Sequence, residues 1–159
     1  MSSRIVIKVD AAKAILRLRM MKKRANDMKP VFWRAKQWLR FANEENFRQA
    51  GLPSGGWSPL DPQYATWKRA HEPGAGTMVR SGRLFRSLAS LDGPPNRIDI
   101  MDATFGTSVE YAKFHQYGTS RMAKRKVVFE PTGFAHRFGE VAAVYVCHGN
   151  IAAVRESLL

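Results

Sequence analysis

Between Gly51 and Val79 the sequence places five of its twelve glycines and four of its eight prolines. No apolar periodicity runs through this stretch, and such residues punctuate a chain rather than extend an element. Any regular structure before residue 51 must therefore be joined to structure after residue 79 by a long irregular segment. Loops of that length in a compact domain are mostly functional or disordered. Trp57, Leu60 and Tyr64 set large apolar groups among the turn formers, so the segment reads as pinned to the body there. His71 to Gly76 reads as an exposed tip.

Upstream of the loop the pattern is helical. Arg4 to Val9 alternates polar with β-branched residues and reads as a short strand. Ala11, Ile15, Leu18, Met21 and Ala25 then recur at helical spacing. The run Asn26 to Pro30 interrupts them, because a residue before proline avoids the α region. Pro30 suits the first turn of a second helix over Val31 to Phe47. In that helix Trp33 and Trp38 read as core, with stacking on bases as the alternative.

Charge separates the same two regions. The chain carries 26 Lys and Arg against 13 Asp and Glu, a net +13. Residues 1–40 hold twelve of the basic and two of the acidic residues, so ten of the thirteen excess charges lie there. This is a basic segment on a nearly neutral body. Either it is a solvated helix face, or it meets something acidic: nucleic acid, an acidic protein surface or anionic lipid. Lys13, Arg17, Lys22, Lys23 and Arg24, with Lys124 and Lys126 further on, are the candidate contacts to DNA or an acidic partner.

After the loop, Val79 to Leu91 reads as an amphipathic helix with Ser81 as N-cap and Leu84, Leu88 and Leu91 along one face. Arg97 to Met101 and Ala103 to Val109 read as paired strands, Ala112 to Tyr117 as a helical turn closed by Gly118, and Lys126 to Glu130 as a third strand. Phe138 to Cys147 and Ile151 to Leu159 read as helices. The whole is read as a single domain over 1–159. It comprises a basic N-terminal strand and helices (4–47), the loop (48–79), an α/β body (80–135) and a C-terminal helical segment (138–159).

Signatures of chemistry are sparse. One cysteine, Cys147, excludes an internal disulfide framework. No glycine-rich phosphate loop follows a strand. The four histidines have no His or Cys at metal-ligand spacing. Asp99 and Asp102 are the nearest approach to the carboxylate cluster a nuclease needs. No catalytic, metal-binding or cofactor-binding set is assigned, and no apolar run reaches membrane-spanning length.

One segment is distinctive: Gly106-Thr107, then Tyr111-Ala112, then His115-Gln116-Tyr117-Gly118. It resembles the pattern of the bacteriophage virion-morphogenesis family, also called tail-completion or head–tail-joining proteins. Three further features follow the same family order. A basic N-terminal helical pair comes first. Trp57-Ser-Pro-Leu60 with Tyr64 and Lys68 is similar to the family's loop, and Gly82-Arg-Leu84 with Ser87 and Leu88 to its glycine–leucine element. One departure is clear. Where family members carry a proline-locked arginine loop, this chain has Met122 to Phe129, which keeps Arg125 but lacks the prolines, so a more mobile and more basic loop is expected.

The resemblance implies an α+β fold: a small antiparallel sheet packed against N-terminal and C-terminal helices, with a long irregular Gly/Pro-rich loop. It implies no enzyme and no cofactor, but a structural protein of the virion, assembled in the host cytoplasm. That protein forms a ring of six copies at the neck, between the tail tube protein and the head connector, with genome DNA passing through. Trp57, Leu60, Tyr64, Gly82, Leu84, Tyr111, His115, Gln116, Tyr117, Gly118 and Arg125 are the implied interface and motif residues. The alternative is a small basic nucleic-acid-binding accessory protein.

Overall fold

The computed structural model describes residues 11–151. The strand expected over 4–9 and the helix expected beyond Ile151 lie outside the described residues. Six α-helices and a two-stranded sheet make an α+β arrangement dominated by helix: α1 (Ala12–Ala25), α2 (Lys29–Arg48), α3 (Pro62–His71), α4 (Arg83–Ser90), β1 (Arg97–Ile98), β2 (Ala103–Thr104), α5 (Ala112–Tyr117) and α6 (Phe134–His148).

The strands pair antiparallel, Arg97 opposite Thr104 and Ile98 opposite Ala103, and are shorter than the alternation predicts. Lys126 to Glu130 is not a third strand. Its backbone is held by side chains instead, as described below. The stretch 51–79 is also more ordered in pattern than expected. A short 3₁₀ turn spans Leu52–Ser54, and α3 begins at Asp61, whose carboxylate accepts the Gln63 and Tyr64 N–H groups at 3.0 and 3.1 Å. An acidic N-cap followed by proline is a strong start signal, hidden here among turn formers. The N-cap of α4 is Gly82 rather than Ser81, whose hydroxyl only accepts a long bond from Arg83 N–H at 3.4 Å. The last helix begins at Phe134, four residues before the expected Phe138.

Two apolar clusters form the core. Phe47, Leu84, Leu88, Val109, Ala112 and Val127 bury against one another, joining α2, α4 and α5. Val31, Trp38 and Val141 form the second, between α2 and α6. Trp38 is core as expected, whereas Trp33 is exposed. Helix ends leave carbonyls without partners, and here neighbouring helices supply the donors. On α2, Asn43 and Arg40 donate to the carbonyls of Leu88 and Ala89 in the last turn of α4. On α1, Arg24 donates to Val146 and Cys147 carbonyls at 3.0 Å, closing α6. A cation at a helix C-terminus also meets the negative end of its dipole.

Candidate functional site

The distinctive segment folds around Gly118. Helix α5 stops there, and the chain reverses at φ +77° into an isolated bridge between Thr119 and Met122. A Cβ at this position would lie 3.1 Å from both Lys124 N and Met122 O, so only glycine lets the returning segment come this close. The return brings Arg125 N–H to the carbonyl of His115 at 2.7 Å.

Gln116 then does the work expected of a neighbouring strand. Its Oε1 accepts the N–H groups of Val127 and Val128, both at 2.9 Å, and its Nε2 donates to Val128 O at 2.8 Å. Val127 is fully buried, so its N–H needs such a partner. The carbonyl of Lys126 receives Trp57 Nε1–H at 2.8 Å, Ser54 hydroxyl at 3.0 Å and Asn46 amide at 3.4 Å. Trp57 itself packs edge-on against Phe47, ring centroids 5.2 Å apart. Arg125 is only 6% exposed, and its guanidinium donates to the carbonyls of Ser58 and Pro59 at 2.9 and 2.7 Å. The loop without the family's prolines is thus tied by Arg125 to the segment leading into α3.

These ties enclose a groove of about 870 Å³ between α3, the approach to α4, the start of α5 and the 121–125 turn. It gathers Leu60, Tyr64, Gly82, Leu84, Tyr111, His115 and Arg125, seven of the motif residues, from four separate stretches. Trp57, Gln116 and Gly118 stand behind it as supports, and Tyr117 points away, 78% exposed. The expected partner contacts are elsewhere. Lys13, Arg17, Lys22 and Lys23 lie exposed along α1, and Lys124 and Lys126 lie exposed on the segment that returns after Gly118. Arg24 is the exception, being engaged with α6.

Sequence reasoning missed several groove residues. Lys68 is 4% exposed and donates to the carbonyls of Gly76 and Thr77 at 2.6 and 3.3 Å, closing the tip of the 72–79 loop. Burial pushes its ammonium below the usual lysine pKa, nearby Glu72 opposes that shift, and Arg80 adds to it. Glu72 pairs with Arg80 at 2.9 Å. The resemblance places Lys68 in the family-like loop, but nothing in the sequence beyond the Lys68–Glu72 spacing on α3, an ordinary helical pair, bears on its burial. His115 has its Nδ1 buried without a hydrogen-bond partner among the described residues. Burial, then the charge of Arg125, lowers its pKa and keeps the imidazole neutral at neutral pH. No nucleophile or carboxylate bonds it among the described residues, where no cluster of three or more metal-ligating groups occurs either. Nor is any described helix long and apolar enough to cross a membrane.

A family model for phage virion morphogenesis proteins matches residues 8–139. That span takes in the first core cluster, the groove, the distinctive turn and the start of α6, and the chain belongs to this family. No curated protein and no solved structure matches it.

Proposed function

We propose that this member of the phage virion morphogenesis family completes the head-proximal end of the tail, joins tail to head, or does both, as one subunit of a ring at the neck. Membership supports a virion assembly role. The neck position, the ring and its contacts with the tail tube protein, the head connector and passing genome DNA belong to the proposal.

One observation carries the reading. In the motif, Gln116 and Arg125 spend their polar groups on backbone ties, while three of its rings stay exposed. Tyr111 at the N-cap of α5, with Phe114 and Tyr117 within it, spaced three residues apart, are 37%, 46% and 78% exposed. Aromatic side chains with few rotamers are enriched where proteins meet proteins, because they bury much area at little entropic loss. A short helix clamped at both ends and displaying three rings suits contacts made late, during assembly.

The second reading, a nucleic-acid-binding accessory protein, draws on α1. There Lys13, Arg17, Arg19, Lys22 and Lys23 have no ion-pair partner among the described residues. It predicts duplex binding that falls steeply with salt, the slope tracking the number of phosphates contacted.

The test is deletion of the gene in its parent phage, with the other genes intact, and imaging of the lysate by electron microscopy. Filled heads beside detached tails establish joining, and abnormally long tails establish termination. Normal particles at normal yield refute the assembly reading and leave α1's charge as the lead.

A further inference from the structure

The groove is more cationic than the motif that builds it. Arg83, at the start of α4, and Arg121, in the turn after Gly118, line it and are both exposed. Neither guanidinium has an ion-pair or hydrogen-bond partner among the described residues. Below them, Lys68 and Arg125 are buried and donate to carbonyl oxygens, which solvate a cation without neutralising it. Arg80 is the fifth cation, and it is already paired with Glu72. The other carboxylate lining the groove, Asp61, is occupied with the N-terminus of α3. Five cations thus face two engaged carboxylates, and charges set in a low-dielectric wall project further into a cleft than the same charges on an open surface. Between them lie aliphatic side chains, Leu60, Met78 and Met122.

We propose that this groove binds an acidic, partly apolar peptide segment of another virion protein. Its carboxylates meet Arg83 and Arg121 and its apolar side chains lie over Leu60 and Met122. The proposal rests on the assembly reading for the class of partner. The chemistry argues against a second copy of this chain. Its acidic residues are half as many as its basic ones, and Glu44–Glu45 is its one adjacent pair, with Glu45 already held by Arg48. A nucleic-acid strand would satisfy the guanidiniums but leave the aliphatic floor unfilled. Arginine's planar fork matches carboxylate geometry two bonds at a time, which gives an acidic peptide both charge and register.

The test uses the full chain and fluorescein-labelled peptides in which Asp and Glu alternate with Leu and Phe. Their Asn/Gln counterparts and a short duplex DNA serve as controls, read by anisotropy. The acidic peptides are expected to bind, and the neutral set to bind at least about tenfold more weakly. The double variant Arg83→Glu, Arg121→Glu is expected to lose about a hundredfold or more, since each of the two charge-assisted bonds is worth about tenfold or more. Arg83→Gln with Arg121→Gln should fall between, which guards against a folding artefact. Lys22→Glu with Lys23→Glu, on α1, should leave peptide binding unchanged. Absence of charge-dependent peptide binding overturns the proposal. So does equal loss in the α1 variant, which would mean whole-molecule attraction, and so does duplex DNA that binds through Arg83 and Arg121 more tightly than any peptide. The two readings separate in particles. If deletion is harmless, the assembly reading fails. If deletion is harmful but the Arg83/Arg121 variant assembles normally, only the groove proposal fails.

Discussion

Replacing Gly51 by alanine is the sharpest test of the frame behind the groove. Gly51 sits at φ +84°, where a Cβ would lie 2.5 Å from Trp57 Nε1 and closer still to two other indole atoms. Two costs add. The left-handed backbone disfavours any Cβ by about 1–2 kcal/mol. The indole must also move, giving up its edge-on pairing with Phe47, about 0.5–1.5 kcal/mol, and its hydrogen bond to Lys126 O, about 0.5–1.5 kcal/mol. The expected destabilisation is about 2–5 kcal/mol. Gly55 provides the control: it is also left-handed, at φ +102°, but has nothing within 4 Å of its Cβ position. Gly55→Ala should cost the backbone part alone, about 1–2 kcal/mol. Urea unfolding followed by far-UV circular dichroism reads both. In a Trp57→Ala background the clash partner is gone, so Gly51→Ala should fall to the Gly55 value, leaving a coupling of about 1–3 kcal/mol in the double-mutant cycle. Equal costs at Gly51 and Gly55, or strict additivity with Trp57→Ala, would refute the argument that the indole is what Gly51 makes room for.

Three further outcomes follow from the same geometry. Gln116→Ala removes the one oxygen that accepts both the Val127 and Val128 N–H groups, and the donor to Val128 O, and should cost about 2–4 kcal/mol, while Gln116→Glu, which keeps the acceptor oxygen and loses the donor, should cost less; denaturant midpoints compare them. His115 titrates in the folded state below its ordinary 6.5, so the unfolded chain takes up the proton first as pH falls, and stability is lost from about pH 6.5 down to the folded value. His115→Asn should therefore flatten that part of the stability–pH curve, and a curve parallel to wild type would contradict it. Arg24→Ala should cost about 1–3 kcal/mol and speed amide exchange in the last turn of α6, whereas Lys13→Ala with Arg17→Ala, exposed along α1 away from its C-terminus, should leave the unfolding midpoint nearly unchanged.

What was legible in the sequence, and what was not, divides by how each element is stabilised. Helices α1 and α2 and the break before Pro30 follow from spacing and local sterics, and both carry that information in neighbouring residues. The turn at Gly118 was legible for the same reason. Helix α3 was obscured because its start signal, Asp61-Pro62, sits among residues that equally announce a loop. The third strand fails because Val127 and Val128 have β-forming character but find their partner in one amide side chain, eleven and twelve residues back in the chain, rather than in a ladder. The assignment of Arg24 to an outside partner overlooked a target that is distant in sequence, the open end of α6. Lys68 and Arg125 were least legible as buried groups. Their burial depends on carbonyls presented by loops, and backbone oxygens leave no trace in the order of side chains. The motif named seven of the residues that line the groove without indicating a groove, and its cationic character was not legible, since Arg83 and Arg121 acquire that meaning only once Gly118 folds the turn across to α4.

The joint at residue 126 has a consequence for how this protein can vary. Three donors, one from α2 and two from the loop after it, converge there on a main-chain oxygen, an atom that every amino acid supplies identically. The Lys126 side chain has no part in the fastening and stays in solvent. Position 126 is therefore free to change sign, size or polarity while the fastening persists, and the residues answerable for it are the donors Trp57, Ser54 and Asn46. A lineage adapting to a new neighbour can rewrite this part of its surface one residue at a time without reopening the fold beneath it.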